Sequence, residues 1–394
     1  MRIRDIRAAT VRLEPPLKTT PRVPRQATPG FASPMLRYPD YPRSRWNASW
    51  SRVAVAVTAE DGTTGFGFTN HGAPVREIVN GHFAPLLIGA DVMATEMHWD
   101  AMRRSSAPYG SAGLASYAMS AVDIALWDLK GKLLGRPVYE LLGGPQKSTI
   151  ECYASNTDLQ WGTPESIAWY LELGFRAVKV FLRDGPEAGI SGVRRAEDLV
   201  ANTRAQVGPD IEVMVDAWIS LNVEQAVRIG EAIRPYRPKW LEDYLLPEDM
   251  QGYRRVRDRL PGAILASGEH WYTLQPFAEA AAAGLVDILQ PDLAWCGGIT
   301  AGQKIAHLAE AHGLSMIVHG GMNYPWGQHL SLAMPAISMG ERSEGVSPPG
   351  VPLAEMTLLP GTPTIENGHV RPSDAPGLGL EIDVSWLEAR ATAN

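Results

Sequence analysis

Alternating and helical hydrophobic patterns are mixed in the first third of the chain. The pattern predicts a strand over residues 3–11 and a two-stranded hairpin around the Asp61-Gly62 turn. Helical patterns follow, and the longest, SYAMSAVDIALWDLKGKLL, is ended by Gly135. This part of the chain is therefore predicted to form a smaller domain of strands and helices, over residues 1–125.

From about residue 150 onward, short runs rich in β-branched residues alternate regularly with amphipathic helical segments. Strands that alternate with helices predict a parallel sheet. Seven such units, with an eighth strand expected after Met334, fit a closed barrel better than an open doubly wound sheet. No G-x-G-x-x-G motif follows the first strand, which argues against dinucleotide binding. We place the barrel over residues 126–355 and expect residues 356–394 to return to the first domain. The seven strand candidates are TIECYAS, FRAVKVFL, IEVMVDAW, PKWLEDYL, AILASGEH, VDILQPDL and LSMIVHGG.

A stretch rich in proline and arginine, residues 15–47, separates the first strand from the hairpin. A polar tract of this length between two strands is a long loop, and long loops in compact domains often serve as lids. Disorder is the alternative that the same length leaves open. We expect a lid over the active site.

Acidic residues close three consecutive predicted barrel strands. Asp216 ends VMVD, Glu242 follows KWL and Glu269 follows LASG, so neighbours are one strand–helix unit apart. The C-terminal ends of barrel strands build the active site, where three converging carboxylates would repel one another unless a cation lay among them. Oxygen ligands alone favour a hard ion such as Mg²⁺. One such acid could simply cap the next helix, but three in succession favour a metal site.

The next two strands continue the series with Asp292, which closes ILQPD, and His319, which closes MIVH. A carboxylate beside an imidazole fixes its tautomer, raises its basicity and leaves the other ring nitrogen free to take a proton. With a divalent metal to stabilise the developing charge, such a base can remove the weakly acidic proton next to a carboxylate. By strand alternation, Trp218 and His270 are expected to point away from the pocket or along its rim.

The composition and charge of the chain indicate which partners and which compartment to expect. The net charge is −7, and lysine and arginine are scattered, which argues against nucleic acid or a membrane surface as partner. No apolar stretch approaches the ~20 residues that span a bilayer, and the N-terminus lacks a signal-peptide pattern. Because Cys152 and Cys296 are far apart in sequence, we expect reduced thiols and a cytoplasmic protein.

Longer motifs add a family resemblance. The segment SAVDIALWDLKGKLLGRPVYELLGG and the ordered Asp, Glu, Glu, Asp, His series resemble the mandelate racemase branch of the enolase superfamily over nearly the whole chain. Within that branch, LRYPDYPRSR, WLEDYLLPEDMQGYR, SGEHWYTLQPF, QPDLAWCGGIT and VHGG are similar to segments of the L-rhamnonate dehydratase family.

The resemblance implies an N-terminal α+β capping domain and a modified TIM barrel, (β/α)7β, with bound Mg²⁺. It also implies that a proton α to a carboxylate is abstracted and the 3-hydroxyl eliminated, which turns an acid sugar into a 2-keto-3-deoxy acid. By this resemblance, Asp216, Glu242 and Glu269 are expected to be the metal ligands. His319 is expected to be the base, and Asp292 the carboxylate that assists it.

Three positions qualify the resemblance. Many relatives carry Lys-x-Lys on the second barrel strand, but here the sequence from Lys179 reads Lys-Val-Phe, which disfavours a racemase with bases on both faces. Lys179 is either a partner of the substrate carboxylate or a barrel-lining lysine. Arg45 is the preferred loop contact for the sugar acid, with a solvated arginine as the alternative. A glutamate on the eighth strand, Glu341 in preference to Glu344, is expected to polarise the intermediate.

The sequence leaves open which acid sugar is the substrate. No histidine precedes His71, although the resemblance implies one in the loop, so L-lyxonate and L-mannonate are alternatives to L-rhamnonate. A racemase or epimerase on the same fold and a non-catalytic barrel that only binds ligands are the competing functions. The resemblance also suggests a symmetric homo-oligomer.

Overall fold

The smaller domain combines an antiparallel sheet with helices. The computed structural model describes residues 1–26, 30–48, 50–157 and 159–392. Three strands pair in the order β1 (Ile3–Val11), β2 (Arg52–Ala59) and β3 (Thr64–Thr69), as the sequence predicts. The helices of this part are α1 (Arg43–Trp46), α2 (Gly72–Ile78), α3 (Ala84–Leu87), α4 (Thr95–Ser106), α5 (Leu114–Leu134) and α6 (Val138–Leu141).

The long helix α5 packs directly against β3 because two glycines of that strand have no side chain. A Cβ atom added at Gly67 would overlap the carbonyl oxygen of Ala121, and one added at Gly65 would overlap that of Ala125. Replacing either glycine would therefore push the helix off the sheet, and the sheet–helix contact depends on both positions.

Replacing Gly67 with alanine is expected to lower the free energy of unfolding by about 1–3 kcal/mol, since an overpacked core must shift its backbone. Thermal denaturation followed by circular dichroism would measure the loss. The matched control is Gly81→Ala, whose added Cβ would meet nothing within 4 Å. Equal melting temperatures for the two variants would contradict the close approach of α5 to the sheet.

Eight parallel strands form the second, larger part. The sheet runs β10-β9-β8-β7-β6-β5-β4-β11, and an isolated parallel bridge between Met316 and Ile337 joins its two ends. Each predicted strand is present, including the eighth, and in the described part of the chain seven helices lie between them, so the (β/α)7β prediction is confirmed. The strands are β4 (Ile150–Ser155), β5 (Ala177–Phe181), β6 (Glu212–Asp216), β7 (Leu241–Glu242), β8 (Leu265–Ser267), β9 (Ile288–Leu289), β10 (Ser315–Met316) and β11 (Gly340–Arg342). The helices are α7 (Thr163–Glu172), α8 (Gly189–Val207), α9 (Val223–Ile233), α10 (Met250–Arg259), α11 (Gln275–Ala283), α12 (Gly298–Ala311) and α13 (Pro325–Ala333).

The interior of the barrel is filled by one layer of side chains, with one member contributed by each strand or the residue flanking it. Because this layer closes the barrel below, polar groups at the C-terminal ends of the strands lie above a packed floor. The members of the layer are Tyr153, Ala177, Met214, Trp240, Ala266, Ile288, Ile317 and Met339.

The chain end contacts both parts. Strand β12 (His369–Val370) pairs antiparallel with β4, helix α14 (Val384–Glu388) follows, and a bridge joins Val11 to Ala391. The predicted domain boundaries remain a prediction, and the one at residue 125 falls inside helix α5. Among the described residues, no helix is long and apolar enough to cross a membrane.

The predicted lid segment crosses the rim of the barrel. It contains a 3-10 turn, Pro34–Arg37, and helix α1. The backbone N–H of Ala32 donates to the carbonyl of Leu182 just beyond β5 (2.7 Å), so the segment is tied to the C-terminal side of the strands. Residues 27–29 of the predicted lid lie outside the described residues.

Candidate active site

Three carboxylates meet at the C-terminal ends of neighbouring strands. Asp216 and Glu242 are the last residues of β6 and β7 and are paired in register, while Glu269 follows β8 by two residues. All three are buried, and each offers an oxygen within 4.8 Å of the others. The structure thus brings together the residues that the sequence singles out as metal ligands.

The electrostatics of this carboxylate cluster call for a cation. Burial raises the pKa of Asp216 to about 6, that of Glu269 to about 7 and that of Glu242 to about 8, and the neighbouring carboxylates add to each shift. Three buried oxygen donors of this kind fit a hard divalent ion, which would be held at the mouth of the barrel by these residues.

Lys179 on β5 supplies one positive charge to the same cluster. Its ammonium lies 3.0 Å from Asp216 Oδ2 and 2.7 Å from Glu341 Oε1, and it also contacts Glu242 Oε1. The side chain is only 1% exposed. Burial lowers its pKa, but the three carboxylates outweigh burial and hold it well above the usual value. Since an ammonium has three N–H donors, these three acids can use all of them.

The two glutamates near the eighth strand have different surroundings. Glu341 on β11 is buried, with Oε1 accepting from Ser155 Oγ (2.8 Å) and Oε2 accepting from the Gly320 N–H (2.8 Å). Burial raises its pKa, yet Lys179 and the other donors outweigh burial and bring it to about 2, so Glu341 stays ionised. Glu344 instead pairs with Arg52 outside this network.

A histidine–carboxylate pair faces the cluster. His319 Nδ1 is 2.9 Å from Asp292 Oδ2, and Asp292 Oδ1 accepts a hydrogen bond from the Ala294 N–H (2.7 Å). The other ring nitrogen, Nε2, lies 3.1 Å from Glu269 Oε2. Burial lowers the pKa of His319, but Glu269 and Asp292 outweigh it, so the pKa lies well above the usual value. The imidazole is thus oriented by Asp292 with Nε2 toward the carboxylates, as a general base for their ligand must be.

Two residues beside the site, Asp243 and His270, were not assigned to it from the sequence. His270 Nδ1 lies 2.9 Å from Asp243 Oδ2 and 3.2 Å from Glu269 Oε1, so it lies beside the carboxylate cluster. Burial lowers its pKa, but Glu269 and Asp243 raise it to about 9. The strand alternation used in the prediction does not apply to His270, because β8 ends at Ser267. Asp243 follows β7 with a positive φ of 45°. In the sequence, Asp243 directly follows Glu242 and His270 directly follows Glu269, and this adjacency to predicted metal ligands indicates that both lie near the site.

Two arginines of the lid segment have different positions. Arg45, the predicted substrate contact, is exposed and lies over the Tyr41 ring, 6.0 Å from its centroid. Arg43 lies over the rings of Phe31 (4.7 Å) and Trp218 (5.0 Å), and Trp218 is two residues beyond Asp216. The lid therefore reaches the rim of the site through Arg43, while the role of Arg45 stays a prediction.

The chain is similar to known proteins over most of its length. The family model "Mandelate racemase / muconate lactonizing enzyme, N-terminal domain" matches residues 46–143, and "Enolase C-terminal domain-like" matches residues 164–386. A curated L-rhamnonate dehydratase from Saccharopolyspora erythraea is 39% identical over 89% of this chain and 89% of its own length.

Solved structures agree with this relationship. The crystal structure of L-rhamnonate dehydratase from Gibberella zeae has a TM-score of 0.86 at 29% identity and covers 99% of this chain and 96% of its own. A structure of rhamnonate dehydratase from the same organism complexed with Mg has a TM-score of 0.85 at 28% identity, over the same shares of the two chains. From these matches, the chain belongs to the mandelate racemase/muconate lactonizing enzyme family of the enolase superfamily.

Proposed function

We propose that this protein is a Mg²⁺-dependent dehydratase of an acid sugar of the L-rhamnonate type. The observation that carries the proposal is the imidazole of His319, whose Nδ1 lies 2.9 Å from Asp292 and whose Nε2 lies 3.1 Å from Glu269, one of three clustered buried carboxylates. In this assignment the carboxylates of Asp216, Glu242 and Glu269 hold the metal. The relatives named above, 39% and 29% identical, are L-rhamnonate dehydratases.

The reaction follows from the placement of the base. Mg²⁺, when bound, supplies positive charge to the substrate carboxylate and so acidifies the neighbouring C2 proton. His319 Nε2 takes that proton while Asp292 holds Nδ1 in the N–H form. The electron pair of the C2–H bond forms a C2=C3 bond as the 3-hydroxyl leaves with the proton from His319. The resulting enol becomes the 2-keto-3-deoxy acid, and one water is released.

The second strand favours elimination over inversion. A racemase needs a second base on the opposite face of the α-carbon, and the Lys-x-Lys position that supplies it in relatives holds Phe181 here. Lys179 itself is bound to three carboxylates. We infer that Lys179 balances the charge of the site and that Glu341, fixed by Lys179, polarises the intermediate. Arg45 remains our candidate for a contact to the substrate.

A substrate panel tests the proposal. L-Rhamnonate, L-mannonate and L-lyxonate would be incubated with enzyme and Mg²⁺, and the 2-keto-3-deoxy acid measured as its semicarbazone. We expect turnover of at least one of them and its loss with excess EDTA. Parallel incubations in deuterated water separate the rival reaction, because exchange or inversion at C2 without loss of water would contradict a dehydratase.

Magnesium binding is expected to strengthen as the pH rises from 6 to 8. The pKa values of Asp216, Glu269 and Glu242, about 6, 7 and 8, lie above the ordinary range near 4, so protons compete with the ion in this window. Because the folded apoprotein holds these protons more tightly than the unfolded chain does, its stability falls as the pH rises from about 4 to 8. Differential scanning fluorimetry should therefore show a larger Mg²⁺-induced rise in melting temperature at pH 8 than at pH 6. An equal rise at both pH values would contradict the shifted carboxylates.

We further propose that the enzyme acts in carbohydrate catabolism in the cytoplasm as a homo-oligomer. The support for a reducing compartment is that both cysteines are buried and free. Size-exclusion chromatography with light scattering tests the oligomer, and a monomeric mass would contradict it.

A further inference from the structure

A cavity beside the base is lined by both parts of the chain. It contains His319 and Asp292 on one side, so a substrate whose C2 lies at His319 has part of its carbon chain next to this cavity. Residues from the smaller domain close the opposite side. The lining includes Arg52 and Phe68 from the smaller domain, and Asn323, Tyr324, Trp326 and Glu344 from the barrel.

An ion pair joins the two parts across this cavity. Arg52, the first residue of β2, donates from Nη2 to Glu344 Oε2 at 2.8 Å and from Nη1 to the hydroxyl of Tyr324. The side chain of Arg52 is 26% exposed and that of Glu344 is 62% exposed, so both are open to a ligand. A guanidinium has five N–H donors, and these two bonds leave others for a ligand.

The backbone at Glu344 is held in a conformation that side chains other than glycine rarely adopt. Its φ angle is 29°. Asn323 fixes this turn, because its Nδ2 donates to the carbonyls of Ser343 (2.7 Å) and Glu344 (3.0 Å) and its Oδ1 accepts from the Ser343 N–H (2.9 Å). Such strain costs of order 1–3 kcal/mol and persists where the surroundings enforce it, often at ligand sites. The hydrogen bonds of Asn323 to this turn thus fix the backbone position from which the Glu344 carboxylate pairs with Arg52.

Charge decides which ligand suits the cavity. Glu344 neutralises Arg52, so the pair offers both a donor and an acceptor but little net positive charge. A hydroxyl can accept from Arg52 and donate to Glu344 at once. A second carboxylate would instead meet the negative charges of Glu344 and Asp292 in the same cavity. The parallel rings of Tyr324 and Trp326 (4.7 Å apart), with Phe68 behind Trp326 (6.2 Å), give an apolar wall for CH groups.

We propose that the Arg52–Glu344 pair is a specificity-determining subsite that selects acid sugars with an uncharged far end over sugar diacids. This inference rests on the proposed dehydratase function and identifies the part of the substrate that the Arg52–Glu344 pair binds. Arg52 and Glu344 contact the hydroxyls remote from the reacting carbons, and the Tyr324–Trp326 wall contacts the chain's hydrocarbon face.

Three substrates of identical stereochemistry test the subsite: L-rhamnonate, L-mannonate and the corresponding 1,6-diacid, which differ only in CH₃, CH₂OH or CO₂⁻ at C6. The wild-type enzyme should prefer the two monoacids to the diacid by about 100-fold or more in kcat/KM. Glu344→Gln removes the negative charge that balances Arg52 and should raise the ratio of diacid to monoacid kcat/KM by about 10-fold or more. Arg52→Met should weaken the monoacids mainly through KM.

The matched control is Glu96→Gln, which breaks the exposed ion pair of Glu96 with Lys304 (2.6 Å). That pair also joins the two parts of the chain but lies outside the cavity, so the substrate ratio should stay at the wild-type value. Wild-type turnover of the diacid as fast as the monoacids, or an unchanged ratio in Glu344→Gln, would overturn the subsite. Absence of dehydration of every monoacid by the wild type would instead refute the proposed function itself.

Discussion

Replacing His319 with asparagine is expected to lower kcat for dehydration by about 10³–10⁴-fold or more, because general base catalysis and the return of the proton both depend on one imidazole. Asparagine keeps a polar group toward Asp292 but cannot take a proton from C2. The appearance of the 2-keto-3-deoxy acid measures the reaction. The exchange of the C2 proton with deuterated water measures the first step alone, and both should be lost together.

The same variant should keep its metal site. Since Asp216, Glu242 and Glu269 are intact, the Mg²⁺-induced rise in melting temperature should match that of the wild type. The control His307→Asn removes an exposed histidine on α12 and should leave kcat unchanged. If His319→Asn still turned over near the wild-type rate, the base would be another residue, and His270, beside Glu269, would be the next one to replace.

The position of His319 could be predicted from the sequence for a simple reason. Parallel strands in a barrel all point their C-terminal ends to one side, so polar residues repeating once per strand–helix unit must converge there. Asp216, Glu242, Glu269, Asp292 and His319 follow that rule, and the structure brings all five together. Their spacing along the chain was enough to predict that they converge, without knowledge of side-chain packing.

Other features depend on local backbone geometry that spacing does not encode. Glu341 lies on the eighth strand and Glu344 two residues beyond it, and Glu344, whose φ is positive, pairs with Arg52 instead. Likewise, Arg43 and Arg45 differ in the lid only through packing on Phe31 and Trp218. The boundary placed at residue 125 remains a prediction, and it falls inside helix α5, which continues to Leu134.

The contacts of Lys179 could not be predicted from the sequence either, since they depend on three other strands. Replacing Lys179 with methionine is expected to destabilise the apoprotein by about 3–5 kcal/mol, the usual cost of leaving buried charges without a partner. Because the methionine side chain has nearly the volume of lysine, the loss of stability would come from the missing positive charge. Asp216, Glu242 and Glu341 would then face one another without a counter-ion. Chemical denaturation with EDTA present measures the effect.

Added Mg²⁺ should partly rescue the Lys179→Met variant, because the divalent ion replaces the missing charge among the same carboxylates. Its Mg²⁺-induced rise in melting temperature should therefore exceed that of the wild type. The control Lys239→Met removes a partly exposed lysine paired with Glu212 (3.0 Å) and should cost less than about 1 kcal/mol. If Lys179→Met were as stable as this control in EDTA, the lysine would not balance the cluster.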